Sequence, residues 1–306
     1  MIVLNTFLTI MQQGLCYALV AMGVYISYKI LDFPDLTVDG SFPLGGVVTI
    51  GLIQMGCPFY LAILVAIFAG MIAGLITGLL HVKLKISNLL SGILTMTALL
   101  SITLALAKLQ TLIPYGNATH LFRNGFMDLF AANIQLKKVA RIGILLVVVV
   151  LFKIILDLFL KTKTGFMLRA VGNNEQMCTS LGCDAGNYKI LGLVIANGMV
   201  ALGGSIYSQY MNYYDNQSGV GMVVLALSSV IIGCAIFKNV KFIKGTTAAI
   251  IGALIYTAGL NIAIVCGIPT TYLKLLMAIM FAIILVLNNS VFSKSKKGKV
   301  IKNAWT

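Results

Sequence analysis

Residues 169–182 read RAVGNNEQMCTSLG, a short polar stretch between two apolar runs that are each long enough to cross a membrane. Asn173 is placed to cap a short helix with Glu175 in its first turn and Gln176 close to the capping-box position, and Gly182 supplies a left-handed stop. A helix of about eight residues is marginal alone, so the surrounding bundle or a partner must hold it. Its Asn, Glu, Gln and Thr, with Met177 and Leu181 one turn apart, suit a ridge that docks on another protein. On the residues alone an ordinary amphipathic connector is the favoured reading.

The rest of the chain is apolar. Of 306 residues, 59% are hydrophobic and only 10% are charged, and the mean hydropathy is +1.00. That excludes an ordinary soluble domain and implies an all-α polytopic membrane protein, because helices satisfy every backbone group inside lipid. Nine spans are expected, near 7–28, 41–56, 60–80, 89–112, 141–160, 187–210, 221–237, 244–264 and 271–290. Residues 1–292 read as one membrane domain with a polar loop at 161–186, followed by a basic tail, 293–306. No basic leader or small-residue cleavage site precedes the first apolar run, so that run is expected to stay as a span.

The net charge of +14 does not indicate nucleic acid, because the basic residues punctuate the ends of apolar runs instead of covering one face. Such residues mark the cytoplasmic side. With the tail inside, the inner loops and their margins hold Lys29, then Lys83 and Lys85, then Lys161, Lys163, Arg169 and Lys189, then Lys238, Lys241 and Lys244, besides five tail lysines. Lys137, Lys138 and Arg141 crowd the opposite end and oppose this topology.

The second and seventh spans are short and rich in Gly, and the second follows DFPDLTVDGSFPLGG. Short, broken spans in both halves of a chain point to a transport path, since irregular backbone at membrane depth must face protein or water, and a simple interfacial loop leading into a short helix is the alternative. Gly70, Gly74 and Gly78 give the third span a small-residue face suited to close helix packing within the bundle.

Catalytic chemistry is absent from the sequence. His81 and His120 lie in different loops, and no H-E-x-x-H, G-x-S-x-G or phosphate-cradling G-x-x-x-x-G-K-[ST] occurs. Any use of ATP and magnesium must therefore reside in a partner, and this chain is expected to hold no cofactor. The six cysteines lack metal or disulfide spacing. Acidic residues are nearly all in loops or near span ends, and Asp157 follows Lys153 by one helical turn, so a proton relay is poorly supported and a local ion pair is expected instead.

The stretch LRAVGNNEQMCTSLGCDAGNYKILGLVIANGMVALGGSIYSQ closely resembles the signature of permease subunits of bacterial ABC importers of the branched-chain amino acid and ribose type. The matching positions are Arg169, Ala170, Gly172, Asn174, Leu181, Gly182, Ala201, Gly203 and Gly204. The resemblance implies that the polar helix is a coupling helix seated in a groove of a separate ATPase. Arg169, Gly172, Asn173, Asn174, Glu175, Gln176, Leu181 and Gly182 would form that contact, with Arg169 bracing the loop through carbonyls or Asp184.

It further implies two ATPase copies, a second permease copy in a homodimer, an extracellular or periplasmic substrate-binding protein, and residence in the bacterial cytoplasmic (inner) membrane. The polar run ISNLLSGILTMTALLSITLAL resembles the family's path-lining span, with Ser91 and Thr95 a turn apart and Thr97 and Ser101 a turn apart. The path candidates are Thr37, Asp39, Ser41, Ser91, Thr95 and Asn197. Tyr207, Tyr210, Tyr213, Tyr214 and Asp215 suit an outer gate or binding-protein contact, or equally an aromatic belt.

Where the family has Gly-Gly, this chain has Gly233-Cys234. LDFPDLTVDGSFPLGG resembles the tryptophan or tyrosine permease subgroup, which favours an aromatic amino acid as solute. A sugar or nucleoside, an ATP-independent carrier or facilitator, an exporter subunit and a membrane scaffold are the alternatives.

Overall fold

Apolar runs of this length satisfy their backbone as helices. In a computed structural model the described residues are 2–123, 134–238, 240, 243–269 and 272–286. Helix α1 (Ile2–Val24) continues as a π-helical turn (Tyr25–Ile30), and α2 (Val38–Gln54), α3 (Phe59–Val82) and α4 (Asn88–Leu106) follow. After strand β1 (Leu112–Pro114) come α5 (Ile134–Phe159), α6 (Lys163–Asn173), α7 (Glu175–Ser180) and α8 (Ala185–Met211). Strand β2 (Tyr213–Asp215), a 3-10 turn (Asn216–Gly219), α9 (Met222–Ile236), α10 (Gly245–Val265) and α11 (Leu273–Val286) complete the order.

The fold is all-α and polytopic. Seven helices among the described residues, α9 being counted together with the 3-10 turn that leads into it, are long and apolar enough to cross a membrane. Two of the nine expected spans fall short of that length: α2, with 17 residues, and α11. The remainder of the ninth span and the basic tail 293–306 lie outside the described residues.

The most apolar stretches of α1 and α8 are 72% buried, against 22% in α5 and 28% in α3 and α4. Helices α1 and α8 therefore form the inner core, and α3 to α5 carry the outward apolar faces that lipid or a partner must cover. Close approach to α8 depends on glycine. A Cβ on Gly70, Gly74 or Gly78 would meet Asn197, Leu193 or Ile190 of α8, so the small-residue face of α3 is used inside the chain.

Helices α2 and α8 run parallel in a fixed register: Ser41 bonds Asn197 and Thr49 bonds Ser205, each pair 156 residues apart, with Gly45 against Ala201 between them. The two short helices α2 and α9 meet at their N-termini. Asp39, in the first turn of α2, accepts from Gly221 N–H (3.1 Å) and Val223 N–H (2.8 Å) at the start of α9. One carboxylate thus serves the positive ends of two helix dipoles.

At one end of the bundle, β1 and β2 pair antiparallel, with Leu112 opposite Asp215 and Pro114 opposite Tyr213. Helices α6 and α7 lie at the other end.

Candidate functional site

Two places draw the predicted residues together, the α6–α7 end and the interior of the helix bundle. At the first, Thr162 caps α6 by accepting from Gly165 N–H at 3.3 Å. Leu168 and Val171 anchor the helix by burial, and Gly172 sits so close to the Ile30 carbonyl that any side chain there would collide with it.

Asn173 does not cap the next helix, contrary to the sequence reading: it is the last residue of α6. Asn174 takes that role, its Oδ1 accepting from Met177 N–H at 3.0 Å. The reason is conformational: residues expected as loop form α6, which takes in Asn173, and Asn174 holds the extended backbone (φ −157°) a cap requires. Helix α7 has 6 residues, fewer than expected, and Gly182 ends its turn at φ +80° as anticipated.

Buried Cys178 pins α7 against Val171 and Ala185, while Met177 and Leu181 are 61% and 72% exposed. Gln176 is exposed as well. Glu175 forms an ion pair with Lys189 at 2.7 Å. Arg169 does not brace Asp184, whose Oδ2 accepts from Asn187 Nδ2 at 2.7 Å; it lines a cleft with Tyr25, Lys29 and Asp157 instead.

In the interior, Ser41 Oγ donates to Asn197 Oδ1 (2.7 Å) and Asn197 Nδ2 donates to Asp35 Oδ2 (2.7 Å). Asp35 Oδ1 accepts from Thr37 N–H (2.8 Å), and the Thr37 and Thr77 hydroxyls are 2.8 Å apart. Thr37, Ser41 and Asn197 are fully buried, so these path candidates form a polar seam joining α2, α3 and α8. Asp39 is engaged in the helix-terminus contact described above.

Ser91 and Thr95 are buried too, and their hydroxyls bond carbonyls of their own helix, Asn88 O and Ser91 O. The other polar pair of α4, Thr97 and Ser101, is exposed. Ser101 borders an open depression of about 470 Å3 with Asn216, Gln217 and Lys274.

Sequence reasoning missed Asp35, Thr77, Gln217 and Lys274. Only Asp35 carried a local signal, as an Asp two residues before the N–H it captures.

The tyrosines sit toward the β1–β2 end. Tyr207 stacks on Tyr17 (centroids 5.3 Å, 27°), Tyr210 OH donates to Gln12 Oε1 at 3.2 Å, and buried Tyr214 donates to Asn216 Oδ1 at 2.8 Å. Asp215 caps the 3-10 turn through Gln217 N–H at 2.9 Å, and Tyr213 is exposed. The expected Lys153–Asp157 pair is present at 3.2 Å and is extended, because Asp157 also accepts from Lys244 Nζ (2.9 Å) and Thr246 Oγ1 (2.6 Å).

Among the described residues this arrangement consists of polar contacts across helices. A family model for the permease component of branched-chain amino acid transport systems matches residues 6–286. The chain belongs to this permease family. A tyrosine transport system permease protein of Clostridioides difficile (strain R20291) is 43% identical over 96% of this chain and 95% of its own length. An uncharacterized protein of Rickettsia prowazekii (strain Madrid E) is 33% identical over 92% of this chain and 96% of its own. A nucleoside ABC transporter permease of Lactococcus lactis subsp. cremoris (strain MG1363) is 33% identical over 36% of this chain and 28% of its own. The chain is thus an integral membrane permease of the ABC type.

Proposed function

We propose that this permease forms the membrane path of an ATP-driven importer for an aromatic amino acid, tyrosine first. The observation that carries the solute is the 43% identity to a tyrosine transport permease, sustained over nearly the full length of both chains. Two copies of the permease associate, and two copies of a separate ATPase, which binds the ATP and magnesium, seat on α6–α7. The exposed Met177 and Leu181 give that contact its apolar ridge, with Gln176 and Glu175 at its polar margin. The C-terminus lies on the same side, in the bacterial cytoplasm, and a substrate-binding protein delivers solute at the β1–β2 end.

For the path, the exposed Gln217 and Lys274 suit a polar wall between two permease copies better than a lipid-facing surface, where an amide and an ammonium go unsatisfied; Thr97 and Ser101 lie beside them with hydroxyls that bond Leu94 O (2.9 Å) and Thr97 O (3.5 Å) of their own helix. The buried Thr37, Ser41 and Asn197 set the shape of the bundle behind that wall.

The test is copurification of the tagged permease from its native membrane, followed by reconstitution with the ATPase that accompanies it and measurement of tyrosine uptake and ATP hydrolysis. Uptake that needs ATP and is competed by tyrosine, but not by nucleosides or sugars, supports the assignment. Uptake without any ATPase overturns the ATP-driven reading, and competition by nucleosides alone moves the solute to the chemistry of the nucleoside permease relative.

A further inference from the structure

We infer that the permease carries a binding site for an anionic phospholipid between α1, the C-terminal end of α5, α6 and α10, continuing along α9, at the end of the bundle where α6 and α7 lie. A cavity of about 450 Å3 there is lined by Lys29, Lys161, Arg169, Lys244, Asp157 and the first residues of α10. Its single carboxylate is already consumed: Asp157 Oδ2 is paired with Lys153 and Lys244, and Oδ1 accepts from Thr246. Among the described residues, no carboxylate lies within ion-pair distance of Lys29, Lys161 or Arg169. Three uncompensated cations therefore face one cavity. The N-terminus of α10 opens on it as well, and Lys244 at its cap position makes no side-chain cap bond, so its first N–H groups and dipole also favour an anion.

A second cavity, about 570 Å3, adjoins the first through the shared residues Lys29 and Gly245. Its remaining wall is largely apolar, with Val230, Ile231, Ala235, Phe237 and Ala248. A cationic cleft continuous with an apolar groove matches a phosphodiester headgroup continuous with an acyl chain. Basic pockets between membrane helices on the cytoplasmic side take anionic headgroups on the same physical grounds. A free phosphate shares the headgroup chemistry but leaves the groove unused, so the lipid is the ligand assigned here. Because Arg169 and Asn173 belong to α6, a bound headgroup would tie α6 to α1 and α10.

The experiment uses the full-length chain, delipidated in neutral detergent, with short-chain phosphatidylglycerol, short-chain phosphatidylcholine and glycerol 3-phosphate as probes, and counts bound molecules by native mass spectrometry across a titration. Phosphatidylglycerol is expected to bind at one site at least about tenfold more tightly than phosphatidylcholine. The Lys29→Gln/Lys161→Gln variant is expected to weaken it by roughly fivefold per charge. Ala235→Phe, which fills the groove and leaves every cation in place, is expected to weaken phosphatidylglycerol while leaving glycerol 3-phosphate unchanged.

Should the lysine variant fail to purify, the Ala235→Phe comparison alone decides between lipid and free phosphate. Equal affinity for phosphatidylglycerol and glycerol 3-phosphate, both insensitive to Ala235→Phe, would replace the lipid with a soluble phosphate. Equal binding of both lipids, unmoved by either variant, would overturn the site, as would an acidic protein that copurifies and protects Lys29 and Lys161 from modification while no lipid binds.

Discussion

Ser41 Oγ lies 2.7 Å from Asn197 Oδ1, joining helices separated by 156 residues of sequence in the middle of the bundle. The same amide donates to Asp35 at 2.7 Å and to the Leu193 carbonyl at 3.1 Å. Asn197→Ala therefore leaves Ser41 and a buried carboxylate each short of a partner. Losing a buried bond of this kind costs about 1–3 kcal/mol, more where a charged group is left alone. The thermal midpoint of the detergent-solubilised permease is expected to drop clearly, whereas Thr97→Ala, on the exposed face of α4, should leave it within the scatter of repeats. An unshifted midpoint for Asn197→Ala would mean that the seam does not hold the bundle together.

The glycine face of α3 permits an internal comparison of packing. At Gly74 an added Cβ collides with the Leu193 carbonyl of α8, a backbone atom that can yield only if a helix moves, while at Gly143 in α5 an added Cβ meets nothing within 4 Å. Gly74→Ala is expected to destabilise by about 1–3 kcal/mol through overpacking. Gly143→Ala should be neutral or gain up to about 1 kcal/mol from helix propensity. Thermal unfolding of the two variants side by side checks the α3–α8 contact, and equal midpoints would contradict it.

The glycine face was legible in the sequence because i, i+4 spacing on a helix determines which residues share a side. The polar seam was legible only in part. Thr37, Ser41 and Asn197 declared themselves as polar residues in or beside apolar runs, but their mutual bonding depends on the parallel register of α2 and α8, which no local pattern encodes. For Ser91 and Thr95 against Thr97 and Ser101, periodicity shows two faces of one helix without saying which turns inward. That choice is settled by Gly40 and Gly92, which bring Leu99 of α4 against α2 and Leu36 against α4. The one-residue error at Asn173 has a local cause, since two adjacent asparagines offer the same cap chemistry and only the end of α6 decides between them.

Glu175 offers a test of coupling that stability does not confound. Its ion pair with Lys189 is short, but the Glu175 side chain is 50% exposed, and such pairs contribute about 0–1 kcal/mol. Glu175→Lys should therefore leave folded permease in the membrane while lowering ATP-dependent uptake several-fold. The double exchange Glu175→Lys/Lys189→Glu restores the local pair with its direction reversed. If uptake stays low in the double variant, Glu175 acts on the ATPase; if it recovers, the pair serves only to hold α7 in place.

His120 gives the β1–β2 end a pH dependence of fixed sign. Its ring is held by two bonds, Nε2 to Asn212 Oδ1 at 3.0 Å and Phe122 N–H to Nδ1 at 3.3 Å. Only the neutral ring protonated on Nε2 makes both, because Nδ1 must accept. Burial pushes the pKa below its ordinary value, opposed by the Asn212 bond and reinforced by Arg123 and Arg141. The unfolded chain therefore takes up a proton first as pH falls below about 6.5. Stability associated with His120 is complete above that value, declines between it and the lower folded pKa, and levels off beneath both. A plot of thermal midpoint against pH should show this decline in the wild type and a shallower one in His120→Gln, with the protection of the Phe122 amide, taken relative to its intrinsic exchange rate at each pH, falling over the same interval. Parallel curves for the two proteins would assign the pH dependence to another group.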